Sequence, residues 1–87
     1  MRFVEIVTLA ASAWSNLNAV IKTANTLLES DTPHIILNTV STATKEAYGK
    51  IDYAETFTDT DGTVKIKFVC LEKTPDIDLS LQIEVIR

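Results

Sequence analysis

The stretch Leu79 to Ile86 (LSLQIEVI) alternates apolar and polar residues without interruption. Successive side chains of an extended strand point to opposite faces, so Leu79, Leu81, Ile83 and Val85 share one face and Ser80, Gln82 and Glu84 the other. A strand of that kind is stable only when its edges pair and its apolar face is covered. The chain therefore has to supply both a sheet and a second layer.

Other segments carry strand character as well. Residues 2 to 8 (RFVEIVT) are dense in β-branched and aromatic types and are assigned to a strand. A helix starting near Phe3 is the alternative, because Phe3, Ile6, Val7 and Ala10 keep helical spacing, and the Val, Ile and Thr content decides against it. His34 to Thr42 (HIILNTVST) has Ile35 and Leu37 on one face and Ile36 and Val40 on the other, the pattern of an inner strand. Thr44-Lys45-Glu46 is read as a turn and Tyr48 to Thr58 as the next strand. Asp59-Thr60-Asp61-Gly62 is a hairpin turn whose glycine accepts positive φ. Thr63 to Lys73 returns, and Thr74-Pro75-Asp76 breaks the chain before the final strand. With a two- or four-residue loop, Ile51, Tyr53 and Phe57 would share a face with Val64, Ile66, Phe68 and Cys70. Glu55 is then the misfit among them.

Between these strands the period looks helical. Ala10, Ala13, Trp14, Leu17, Val20, Ile21, Ala24, Leu27 and Leu28 fall at i, i+3, i+4, i+7 spacing, which predicts an amphipathic helix from about Ser12 to Ser30. Ser12 is its N-cap, and Asp31-Thr32-Pro33 stops it. The same rhythm bears on the opening MRFVEIVTLAASAW, whose small residues at 11 to 13 resemble a signal-peptidase site. Glu5 leaves the apolar run too short for export, and a cleaved leader has no need to keep phase with the mature domain.

The expectation is one domain over residues 1–87: an α+β fold with a single N-terminal amphipathic helix on a curved, mainly antiparallel sheet of about five strands, in the order β-α-β-β-β-β. At 87 residues, 46% hydrophobic and 23% charged, nothing larger fits. A helix is about 10–12 Å wide and strands lie about 4.8 Å apart, so one helix covers two to three strands. Ile36, Val40, Val69, Leu71 and Ile86 are left on a second face without cover. The outward side of the helix, with Asn18, Lys22 and Asn25 among its residues, is polar yet nearly uncharged, which suits a contact surface. Together these eight residues are the candidate partner-binding set, for a protein partner or a second copy in a homo-oligomer.

Chemistry is sparse by comparison. No catalytic, metal-ligating or nucleotide-binding motif is present, so neither a cofactor nor an enzymatic activity is expected. Asp59 and Asp61 resemble the start of a calcium loop, but position 5 is Thr63, the glycine comes two places early and position 12 is Cys70. One cysteine excludes an internal disulfide and suits a reducing cytoplasm. The longest apolar run falls short of a membrane span. A net charge of −4 argues against nucleic acid, for which Lys45, Lys50, Lys65 and Lys67, with Tyr48 for stacking, form the only local patch.

Tyr48, Tyr53, Glu55 and His34 are the candidates for a small-ligand cup under the curved sheet. The function expected first is a non-enzymatic protein-interaction module, of the type of small regulators, inhibitors or accessory proteins of phages and mobile elements. A ligand binder or enzyme using the cup stands second, and a nucleic-acid binder third.

Overall fold

The computed structural model describes residues 1–87 and contains six strands: β1 (Arg2–Leu9), β2 (Asn18–Ile21), β3 (His34–Leu37), β4 (Tyr53–Thr58), β5 (Val64–Val69) and β6 (Leu79–Ile86). A short helix, α1 (Thr42–Tyr48), lies between β3 and β4, and a single 3₁₀ turn spans Ala11–Ala13. The strands form two three-stranded antiparallel sheets, β1-β6-β3 and β2-β5-β4. Their inner faces share one core. Leu79, Leu81, Ile83 and Val85 from β6 meet Ala19 and Ile21 from β2 and Ile66 and Phe68 from β5. Leu9, Leu27 and Ala47 complete it. Each fully buried Leu, Ile or Phe contributes about 1.5–3 kcal/mol to such a core.

The strands β1 and β6 form where alternation places them. They pair over their full length, from Arg2 with Ile86 to Leu9 with Leu79. The expected helix from Ser12 to Ser30 does not exist, so the helix-on-sheet fold and the five-stranded sheet are both replaced by a β sandwich. Two physical reasons account for the difference. Ser, Thr and Asn along the supposed outer face hydrogen-bond the backbone in non-helical conformations and lower helix propensity. The apolar residues also satisfy a second period, because Ala19, Ile21 and Thr23 alternate as buried positions with exposed Asn18, Val20 and Lys22. Pairing with β5 supplies a partner for that second pattern.

A tight turn makes β2 possible. Ser15 and Asn18 exchange both backbone hydrogen bonds, at 2.7 and 3.0 Å, around Asn16 (φ 50) and Leu17 (φ 68). Two successive positive φ values define a type I′ hairpin turn, in which the second position favours glycine. Holding a leucine there costs about 1–2 kcal/mol. Leu17→Gly is therefore expected to raise the melting temperature by about 4–8 °C, measured by circular dichroism. A lower melting temperature would show that the Leu17 side chain contributes more through packing than its backbone loses.

The middle of the chain differs too. The strand expected over His34 to Thr42 ends at Leu37, and the strand expected from Tyr48 begins at Tyr53. The segment read as a turn at Thr44 to Glu46 is the body of α1. Ser41 caps it by a reciprocal box: its hydroxyl accepts from the Thr44 N–H at 3.2 Å, and the Thr44 hydroxyl accepts from the Ser41 N–H at 2.8 Å. A threonine in place of the usual Glu or Gln at the third position hides this signal.

The Asp59 to Gly62 hairpin forms, with Gly62 at φ 82. Its loop, however, holds five residues between the paired Thr58 and Val64. An odd loop pairs odd positions with odd ones, so the expected sharing of faces is inverted. Ala54, Thr56 and Thr58 lie on the core face with Val64, Ile66 and Phe68, while Tyr53, Glu55 and Phe57 face outward with Val69, Lys67 and Lys65. Glu55 ceases to be a misfit: it sits opposite Lys67, 3.5 Å from its ammonium.

Candidate functional site

The same alternation that buries one face of β6 turns the other outward, and in this sandwich nothing lies over it. Cross-strand rows run Val4–Glu84–His34 and Ile6–Gln82–Ile36, with Ile86 opposite Arg2 at one end. Val4, Ile6, Ile36 and Ile86 remain 40%, 52%, 46% and 70% exposed. β-Branched residues favour strands whichever way they point, but four on one open face form a patch rather than isolated exposures. At its rim Arg2 Nε donates to Glu84 Oε2 at 2.7 Å, which leaves that end without net charge. Ser80, Gln82 and Thr8 supply hydroxyls and an amide around the aliphatic centre. The face carries no cysteine and pairs His34 only with Glu84 in register, so its chemistry is that of contact and desolvation.

Of the eight residues expected to bind a partner, two stand together here, Ile36 and Ile86. Val69 is buried between Asn18 and Tyr53 in the other sheet. Val40 precedes α1, and Leu71 follows β5; both are exposed loop residues. Asn18 lies on the outer face of the β2-β5-β4 sheet. Lys22 and Asn25 belong to the loop after β2, where Asn25 is held by Glu5. Val4 and Ile6 were not among the expected residues, because only the register against β6 reveals which half of β1 faces outward.

Glu5 faces the core side of β1, and its carboxylate accepts the backbone N–H groups of Ala24 (2.7 Å) and Asn25 (3.0 Å) and the Asn25 side-chain amide (2.8 Å). Burial raises the Glu5 pKa, yet these bonds together hold it below its ordinary value. The charge that interrupts the N-terminal apolar run is thus a fastener for the loop after β2.

The four cup residues do not converge. The cup itself required a long helix over a five-stranded sheet, and neither is present. Tyr48 lies on α1 and donates its hydroxyl to the Ile35 carbonyl at 3.2 Å, with burial raising its pKa. Tyr53 and Glu55 face outward from one sheet, and His34 faces outward from the other. Two depressions of about 400 Å³ exist elsewhere. One is lined by Lys50, Asp52, Leu71, Glu72 and Lys73, the other by the Lys22–Leu27 loop and Gly62–Val64. Neither collects a set of converging catalytic groups.

The lysines expected to form a basic patch are partly neutralised. Lys65 Nζ lies 2.7 Å from Asp59 Oδ2 and 3.2 Å from Asp61 Oδ2, and the hydrogen bond it donates to Asp59 raises its pKa. Lys67 faces Glu55, with its ammonium 5.3 Å from the Phe57 ring centroid. Asp59 and Asp61 act as turn and ion-pair groups, Asp61 accepting the Thr63 N–H at 3.0 Å. Cys70 is buried, and burial raises its thiol pKa. No helix is long and apolar enough to cross a membrane. The chain matches no known protein family, and neither curated proteins nor solved structures give a match to it.

Proposed function

We propose that this protein is a small non-enzymatic interaction module that docks on another protein through the outer face of the β1-β6-β3 sheet. The observation that carries the reading is the row of aliphatic side chains left open there, Val4, Ile6, Ile36 and Ile86. They are between 40% and 70% exposed, so covering each contributes about 1 kcal/mol or somewhat more. That suffices for the centre of an interface, with the polar rim contributing specificity. A protein surface is the fitting partner. The Arg2–Glu84 pair offers no net positive charge to a phosphate backbone or an anionic lipid headgroup, and both of those partners are held chiefly by Lys and Arg.

Site-specific photocrosslinking tests the proposal. With benzoylphenylalanine at Gln82, in the centre of the face, a discrete adduct is expected in cells. It should be lost when Ile6→Lys and Ile36→Lys are combined. Both substitutions lie on solvent-facing positions, so the melting temperature should move by only a few degrees. No adduct, or one that survives the double substitution, would remove the proposal. An adduct of twice the chain mass would identify the docking protein as a second copy.

A further inference from the structure

A second surface is set by the backbone and does not rest on the docking face. Two three-stranded sheets have four edge strands, and exposed edges are templates for pairing unless something blunts them. Three of the four are blunted. On β3, four residues long, the Tyr48 hydroxyl occupies the Ile35 carbonyl at 3.2 Å. On β2, the Ser15–Asn18 turn uses both backbone groups of Asn18, leaving only those of Val20. On β1, the inward carboxylate of Glu5 holds the Ala24–Asn25 turn beside the strand.

On the strand β4 the one such contact is a single bond on the core side, from the Thr56 hydroxyl to the Glu29 carbonyl at 3.2 Å, and it leaves the outward backbone groups of the strand unused. The strand runs six residues (YAETFT) in unbroken register with β5, without proline, lysine or bulge. The Asp59 N–H donates to the Thr63 carbonyl at 2.8 Å, which marks 59/63 as a hydrogen-bonded pair. Alternation then assigns Tyr53, Glu55 and Phe57 to bonds with β5 and leaves the N–H and C=O groups of Ala54, Thr56 and Thr58 directed away from the sheet.

We infer that this edge is the site at which a second copy of the chain pairs, antiparallel about a two-fold axis at Thr56, to make a continuous six-stranded sheet. The alternatives are poorer. An axis at Glu55 sets two glutamates directly opposite each other, and an axis at Phe57 sets Glu55 opposite Asp59; like charges in those positions are destabilising. An axis at Ala54 or Thr58 overlaps the strands less. With the axis at Thr56, residues 54–58 pair with 58–54 of the second copy, and the outward groups of Ala54, Thr56 and Thr58 are all satisfied.

Charge complementarity favours the same register. Glu55 of the second copy comes opposite Phe57, and the Lys67 ammonium already stands 5.3 Å from the centroid of that ring. Each Lys67 then lies between the Glu55 of its own chain, 3.5 Å away, and the Glu55 of the other. An isologous contact of this kind closes on itself and forms a dimer rather than a fibre.

Sedimentation equilibrium over micromolar to millimolar protein is the test. A concentration-dependent dimer is expected, with the amides of Ala54, Thr56 and Thr58 exchanging more slowly as concentration rises. Thr56→Pro deletes an N–H that no intrachain ladder bond uses, a change that edge strands tolerate, together with the hydroxyl bond to the Glu29 carbonyl, and should weaken dimerisation at least about tenfold. Should that variant fail to fold, Glu55→Lys gives the same reading through charge, with dimerisation about tenfold weaker and restored in Glu55→Lys/Lys67→Glu. A monomer throughout the range, or a dimer indifferent to Thr56→Pro and Glu55→Lys, overturns the inference. A dimer that survives Thr56→Pro but not Ile6→Lys also overturns it and places the contact on the docking face. A monomer leaves the docking face untouched.

Discussion

Ile21→Asp is expected to leave the domain largely unfolded at room temperature, while Val20→Asp, one residue away, melts within a few degrees of the parent. In the sandwich Ile21 belongs to the shared core and pairs with Ile66, whereas Val20 points outward and lies opposite Lys67. Removing a buried isoleucine side chain costs about 2–5 kcal/mol, and placing an unpaired carboxylate in its position adds several more. A domain of this length has about 4–13 kcal/mol of total stability, at roughly 0.05–0.15 kcal/mol per residue. The substitution therefore consumes most of it. Val20→Asp adds a charge that faces a lysine, against a strand-propensity loss of about 1 kcal/mol or less. The contrast separates the two ways of folding this segment, because on a helical stripe both residues would face the core. Chemical denaturation followed by far-ultraviolet dichroism measures it, and equal destabilisation by the two variants would contradict the strand.

The second large effect is a dependence on acid. Asp31 is buried, and Arg87 clasps its carboxylate with Nε at 2.8 Å and Nη2 at 2.7 Å. The Leu28 N–H adds a third bond at 2.8 Å, and Arg87 Nη2 also reaches the Thr26 carbonyl at 2.8 Å. The hydrogen bond from Arg87 is the main reason that the Asp31 pKa falls from 3.8 to about 2, against the upward pull of burial. A carboxyl whose folded pKa lies below its unfolded value stabilises the fold above the unfolded value. That contribution declines as pH drops from about 4 toward 2 and is gone once the folded carboxyl is protonated. Asp31→Asn removes charge-assisted bonds of about 1.5–3 kcal/mol, a loss of roughly 10 °C in melting temperature near neutral pH. The difference between parent and variant should shrink steadily below pH 4. Glu5, Asp59 and Asp61 are also held below their ordinary values, so the parent alone loses stability in acid for several reasons, and the difference isolates Asp31. A gap that stays constant down to pH 2 would show that the ion pair is not its source.

The pair also illustrates what one-dimensional patterns miss. Asp31 reads as part of a helix stop and Arg87 as a terminal residue 56 positions away. Nothing local couples them. They meet because the loop after β2 crosses to β3 beside the end of β6, a path that exists only once the two sheets have formed. Val4 and Ile6 became recognisable as surface by the same route, through their register with Glu84 and Gln82. Ile36 and Ile86 were legible earlier, since each lies out of phase with the apolar set of its own strand. Val69 was misassigned to an open face because its burial depends on the strands on either side of it and not on its own alternation.

What the residues determined on their own was local and periodic. The β6 alternation, the β-branched content of β1 and the positive-φ glycine at Gly62 each specify a conformation through sterics acting within a few residues, and each appears as expected. Tertiary structure decided whatever had two locally acceptable answers. Within residues 12–30, which keep a helical stripe, residues 18–23 also keep a strand alternation, and there the strand prevailed because β5 offered a paired edge and a core face to fill. The hairpin loop accommodates five residues as readily as four, and that single residue exchanged the inward and outward faces of β4. In both cases the local energies nearly balance, and the long-range burial of Ile21, Ile66 and Phe68 tips the outcome.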